Sequence, residues 1–182
     1  SVETVGSASV VCCAHPMHAT STSPAFPNAA YFLGITSLPI KNAGDASALH
    51  VMPRYVLSNA TSFDFQYRQQ GIQMERELPM DAMQNVHWPD VTKPLLISIR
   101  IQEAGWMWSG GLAINAPGDT MVKLRHRVRE ETMLMQLDVT LQAFSVLLAT
   151  LKHQQSGFAP YRLDNYTSEK IHVRQFGSSS LE

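Results

Sequence analysis

The stretch YVLSNATSFDFQYRQQG, residues 55–71, returns later in the chain as YRLDNYTSEKIHVRQFG, residues 161–177. Laid over each other without a gap, the two segments share eight of 17 residues, whereas about one match is expected by chance. The matching pairs are Tyr55/Tyr161, Leu57/Leu163, Asn59/Asn165, Thr61/Thr167, Ser62/Ser168, Arg68/Arg174, Gln69/Gln175 and Gly71/Gly177. Their offset of 106 residues is the size of a β-sandwich module, so the sequence predicts an array of such modules.

Each copy begins with a short strand, continues through Asn-x-Thr-Ser and ends in a second alternating stretch. An asparagine amide can bond several backbone groups at once, so Asn59 and Asn165 are predicted to pin the loop between two strands. A competing interpretation takes both as N-glycosylation acceptors, because each satisfies the N-x-T pattern. On that interpretation the chain is an extracellular, glycosylated β-sandwich adhesion array.

Apolar and polar residues alternate along 95–102, 121–128 and 133–141, which is the period of half-buried strands. Leucines and Phe144 between residues 134 and 151 also fit the spacing of a helix. Strands are favoured because 138–140 reads Asp-Val-Thr, which is poor helix material, and because no capping residue precedes the segment. The predicted fold class is all-β, with repeated sandwich modules.

Three segments are predicted. Residues 1–48 form a Ser/Thr/Ala/Pro-rich lead-in with no charged residue from Thr4 to Ile40, and we expect it to be mostly loop, although an apolar run at 31–35 could dock on a neighbouring surface. Residues 49–157 form the complete module. Residues 158–182 supply the first strands of a truncated second module, which should pack back or fray.

Composition and motifs limit the classes of partner and chemistry that are expected for this protein. The net charge of −1 makes nucleic acid an improbable main partner, and the adjacent Cys12 and Cys13 fit a reducing, cytoplasmic location. No metalloprotease, phosphate-loop or dinucleotide motif is present, and Met107 occupies the first glycine position of a nucleophile elbow at Ser109. We therefore expect no enzyme, no cofactor and no metal.

Trp106 and Trp108 are expected to share a strand face, where they either pack in the core, the favoured reading, or form an aromatic pocket. The basic run Lys123, Arg125, His126, Arg127 and Arg129 is expected to be a plain solvent face rather than a site for anionic groups.

Segments 105–111, 117–120 and 160–167, together with the repeated asparagine, resemble the adaptor-binding region of the vacuolar protein sorting-associated protein 13 family, which is named the SHR-binding domain in plants. The resemblance covers about residues 50–177. The plant name alone also suggests a module that binds a transcription factor.

The resemblance implies a row of β-sandwich modules in a long, bridge-like lipid transfer protein. In such proteins, adaptors of individual organelles present short Pro-x-Pro peptides that place the bridge at membrane contact sites, in vacuolar protein sorting and lipid transport. The resemblance links only Asn59 and Asn165 to adaptor recruitment, through loop geometry. Expected partners are these adaptors and neighbouring modules. The expected location is cytoplasmic and peripheral at organelle membranes, through the parent protein.

Overall fold

The computed structural model describes residues 8–13, 28–42, 44–154 and 163–173. These ranges contain β-strands, one 3-10 turn and no α-helix, which confirms the predicted all-β class. The strands are β1 (Ala8–Cys13), β2 (Ala30–Pro39), β3 (Ser47–Pro53), β4 (Tyr55–Ala60), β5 (Phe65–Gln69), β6 (Arg76–Leu78), β7 (Met83–Val86), β8 (Ile97–Ile101), β9 (Gly118–Arg125), β10 (Thr132–Leu141) and β11 (Leu147–His153). Within these ranges no helix has the length and apolar character needed to cross a bilayer.

Two sheets pack face to face. One has five strands in the order β7-β4-β11-β10-β9, and the other has three in the order β6-β5-β8. The predicted alternation places one side of each strand in a shared core, whose fully buried side chains include Leu57, Phe65, Ile99, Leu137 and Leu151. This is the arrangement of a β-sandwich.

Strands β4 and β11 are neighbours and run parallel, with Tyr55 opposite Leu147 and Asn59 opposite Leu151. The other strand pairs of both sheets are antiparallel. The first and last strands of the module therefore lie side by side at the centre of the larger sheet.

The region with two competing periods is a hairpin of strands. β10 and β11 pair antiparallel, with Leu137 opposite Leu151 and Leu141 opposite Leu147. Between them lies the 3-10 turn Ala143–Ser145, in which Phe144 and Ser145 have positive φ angles of 60° and 61°. This turn interrupts the leucine pattern, so the segment forms a hairpin although its sequence also fits the spacing of a helix.

The described part of the lead-in differs from the predicted loop. β1, β2 and β3 form a third, antiparallel sheet, and β3 crosses the predicted boundary at residue 48. Ala30 is fully buried and exchanges two backbone hydrogen bonds with Trp88, while the ring of Phe32 contacts that of Tyr55. The docking expected for the apolar run at 31–35 is therefore seen at Phe32, and the described residues around this run form strands where loop was expected.

Residues 163–173 contain no strand, and every residue in this segment is exposed. Leu163, Ile171 and Val173 are 75%, 55% and 67% exposed. Their counterparts in the first copy, Leu57, Phe65 and Tyr67, lie in the core. The two copies of the repeat therefore differ in burial at equivalent apolar positions.

Candidate functional site

Asn59 lies at the end of β4 and is 1% exposed. The two hydrogens of its amide Nδ2 are shared among the carbonyl oxygens of Phe63, Leu78 and Pro79, at 2.8, 3.1 and 3.0 Å. Its Oδ1 accepts the backbone N–H of Thr61 at 3.1 Å and the Thr61 hydroxyl at 2.8 Å. One side chain thus joins the loop after β4 to the chain that follows β6.

The same loop is closed from the other side by β11. His153 Nε2 accepts the backbone N–H of Ser62 at 3.1 Å and lies 3.0 Å from the Ser62 hydroxyl. The His153 ring also meets the Phe63 ring edge-on, with centroids 5.6 Å apart. We call the loop of residues 59–64 the Asn59 loop.

The chain that Asn59 holds leads directly into β7, an outer strand of the five-stranded sheet. Asp64 Oδ1 accepts the backbone N–H of Met80 at 2.8 Å, and Asn59 N–H donates to the carbonyl of Ala82 at 2.9 Å. Met80 and Met83 are 52% and 61% exposed. We call the outer edge of β7 with these two methionines the β7 edge.

Asn165 makes the same local bonds in an exposed setting. Its Nδ2 donates to the carbonyl of Glu169 at 2.7 Å, and its Oδ1 accepts the backbone N–H and hydroxyl of Thr167 at 2.9 and 2.7 Å. No bond from its amide to a second chain segment occurs among the described residues. Tyr161, the counterpart of the buried Tyr55, lies outside the described residues.

A family model for the adaptor binding domain of vacuolar-sorting associated protein 13 matches residues 46–182. The chain belongs to this family. Its matched part is the family's adaptor-binding domain, so adaptor proteins are its partners. No curated protein matches the chain.

Glycosylation at the first N-x-T sequence does not fit the folded adaptor-binding domain. Asn59 is buried, and its amide is engaged with three carbonyl groups. A glycan on Nδ2 would remove one hydrogen and need space that the core occupies. Only Asn165 among the two asparagines is accessible.

The tryptophans do not share a strand face, since residues 106–111 form no strand. Trp106 is 6% exposed and meets the His126 ring edge-on at 5.5 Å. Trp108 is half-buried on the outer side of the smaller sheet, where the guanidinium groups of Arg68 and Arg100 lie 4.2 and 4.6 Å from its ring centroid. Of Trp106 and Trp108, only Trp106 packs in the core. The ring of Trp108 already makes cation–π contacts with two guanidinium groups.

The basic run is exposed except at His126, which is 6% exposed. Its Nδ1 accepts the backbone N–H groups of Val128 and Arg129 at 3.3 and 3.0 Å, and Nε2 lies 3.1 Å from the Ala104 carbonyl. Including His126 in a solvent face was therefore wrong. β9 ends at Arg125, and the histidine braces the turn that follows.

Met80, Met83 and His153 were not predicted from the sequence. A sequence signal for the methionines is present, because both lie in the segment Pro-Met-Asp-Ala-Met at 79–83, directly after a proline. The structure places Asp81, between them, at a positive φ of 57°. His153 carries no comparable signal. Its partner Ser62 is 91 residues away, and only the parallel pairing of β4 with β11 brings them together.

Proposed function

We propose that this adaptor-binding domain captures short Pro-x-Pro peptides of organelle adaptors at the β7 edge. The observation that supports the proposal is an outer strand that begins at the exposed Met83, with the exposed Met80 shortly before it, held in place by the buried Asn59. In the wider role that we propose, the parent protein is a bridge that carries lipid, and this domain sets where it docks.

The backbone of β7 offers hydrogen-bonding groups to a partner strand. Ala82 pairs with Asn59 on the inner side, and the antiparallel register continues with Gln84 opposite Leu57 and Val86 opposite Tyr55. Because bonding alternates along a strand, the N–H and C=O groups of residues 83 and 85 point to the outer side. An extended peptide can therefore add to the sheet there.

A Pro-x-Pro sequence suits such an edge. Proline has no N–H, and two prolines separated by one residue both turn their nitrogen away from the sheet. The residue between them presents its N–H and C=O to β7. With the peptide parallel to β7, the middle residue bonds to residues 83 and 85, and both proline rings lie on the face of Met83, whose exposed side chain gives an adaptable apolar surface.

Asn59 contributes indirectly in this scheme. It binds the carbonyl groups of Leu78 and Pro79, immediately before Met80, and therefore sets the position at which β7 begins. Replacing Asn59 should therefore make the position of the β7 edge less well defined, even though the peptide never contacts residue 59.

In the proposed role the domain performs no catalysis and needs no cofactor. It acts in the cytoplasm beside neighbouring modules of the same protein, and its membrane association is peripheral, through the adaptor and the parent protein. Placement of a lipid-transferring bridge at membrane contact sites is the consequence of peptide capture.

Titration of the purified chain with a synthetic Pro-x-Pro peptide tests the proposal. Met83→Lys should weaken binding about tenfold, because it removes an apolar contact next to the prolines. Leu134→Lys is the matched control, since Leu134 is 51% exposed on another strand, β10, and should leave the affinity unchanged. A peptide with both prolines replaced by alanine should bind weakly.

Equal losses for the two lysine variants would reject the β7 edge as the docking site. If no Pro-x-Pro peptide binds the parent chain while a full-length adaptor does, the peptide part of the proposal is wrong.

A further inference from the structure

The opposite edge of the five-stranded sheet has a different chemistry. β9 is the outer strand there, and its C-terminal end is already paired with an irregular segment: Met107 N–H donates to the Arg125 carbonyl at 2.9 Å, and Arg127 N–H donates to that of Gly105 at 2.7 Å. In the described part of the chain, no backbone group bonds to β9 between residues 119 and 124 from the outer side. Among the described residues, the edge is therefore unpaired just beyond Met107.

The bonds of Met107 define how a partner would continue along this edge. Trp106 bridges His126 in the antiparallel sense, so the chain from 105 to 107 runs opposite to β9. Because Arg125 bonds outward, residues 123 and 121 also turn their backbone groups outward. A peptide continuing the line of residues 105–107 would pass Lys123 first, then Met121, then Asp119.

Lys123, Met121 and Asp119 lie on the face of the sheet that is turned away from the core. The β10 residues opposite Lys123 and Asp119 do not compensate their charges. Lys123 is opposite Leu134 and forms no ion pair with another described residue. Asp119 is opposite Asp138, a like charge that Lys152 neutralises at 2.5 Å. Asp119 itself has no cation among the described residues.

We propose that the β9 edge binds an extended protein segment with an acidic residue, an apolar residue and a basic residue at alternate positions. In the antiparallel register the acid lies opposite Lys123, the apolar residue opposite Met121 and the base opposite Asp119. Directly opposed, oppositely charged pairs favour an added strand, and like charges disfavour it. A cleft of about 460 Å³ beside Lys123 gives space for the acidic end; its wall contains the cations Lys123, Arg125 and Arg127 as well as Glu130 and Glu131.

The segment is a protein rather than a lipid surface, because an open row of backbone N–H and C=O groups matches another backbone. This inference does not depend on the Pro-x-Pro proposal, since the two edges are on opposite sides of the sheet with three strands between them.

Two peptides of identical composition test the inference on the full chain. One contains Glu-Thr-Leu-Thr-Lys and the other Lys-Thr-Leu-Thr-Glu, with the same neutral flanks and blocked ends. The first should bind about tenfold more tightly, and its NMR shift changes should centre on residues 119–124. The double variant Asp119→Lys/Lys123→Glu should reverse the preference, while Lys170→Glu, on an exposed residue outside the sandwich, should not change it.

Both exchanged positions are exposed, so the double variant should melt with the parent chain. Equal affinity for the two peptides, shift changes on another strand, or an unchanged preference in the double variant would overturn the inference. Binding of anionic vesicles by the parent, lost in Lys123→Glu, with neither peptide bound, would assign the edge to membrane and also overturn it.

Discussion

The Asn59 loop and the loop at Asn165 have the same local hydrogen bonds and opposite surroundings. In each, the asparagine oxygen accepts from the threonine two residues on and the amide donates to a carbonyl four residues on. Only Asn59 also reaches Leu78 and Pro79, and only it is buried. The Asn-x-Thr sequence therefore specifies the turn by itself, whereas burial depends on strands that come later in the module.

The largest difference between the loops should appear in hydrogen exchange. The N–H groups of Thr61 and Thr167 donate to their asparagines at 3.1 and 2.9 Å, so bond length alone predicts similar protection. We expect Thr61 to exchange at least about a thousandfold more slowly, because it opens only with the sandwich while Thr167 opens locally. Amide exchange measured by NMR gives both rates in one sample, and comparable rates would show that local bonds dominate.

Removing each asparagine gives the next largest effect. Asn59→Ala should lower the free energy of unfolding by about 3 kcal/mol, since it leaves buried carbonyl and N–H groups without partners. Asn165→Ala should cost less than about 0.5 kcal/mol, because water replaces its bonds. Denaturant unfolding of the two variants measures this difference, and losses of equal size would contradict the role given to burial.

His153 closes the Asn59 loop, and no corresponding bond is made at the loop of Asn165 within the described residues. His153→Ala should destabilise the chain by about 0.5–1 kcal/mol and should speed exchange at Ser62 more than at Ser168. Lys152→Ala, one residue earlier on the same strand, serves as the neighbouring control for exchange at Ser62. Unchanged exchange at Ser62 in His153→Ala would show that the histidine does not brace the loop.

The smallest expected effect is a pH dependence at the end of β7. Burial, and secondarily the nearby Arg76 guanidinium, hold the pKa of His87 below its ordinary value of 6.5. The unfolded chain therefore takes up a proton at a higher pH than the folded chain does, and stability falls as the pH drops below about 6.5. His87→Gln should reduce this slope in unfolding measured between pH 7 and 5; an unchanged slope would contradict it.

Strand positions were predictable because alternation is a local signal. β8 and β10 follow it closely, β9 follows it as far as Arg125, and the repeat identified the asparagines. The sheet in the described part of the lead-in was not predictable because docking on distant residues stabilises it, as Ala30 does on Trp88. Trp108 and His126 were misplaced because residues 105–112 pair with β9 at one end and with β8 at the other, a crossing that has no sequence period.

The parallel contact between β4 and β11 has a consequence for biosynthesis. Tyr55 lies opposite Leu147, so the strand that is made first cannot reach its central neighbour until some ninety further residues have left the ribosome. A nascent module must keep β4 unpaired on that side while the intervening strands emerge. In a protein built from consecutive modules, each one can complete its central sheet only after its last strand is translated, which favours folding one module at a time.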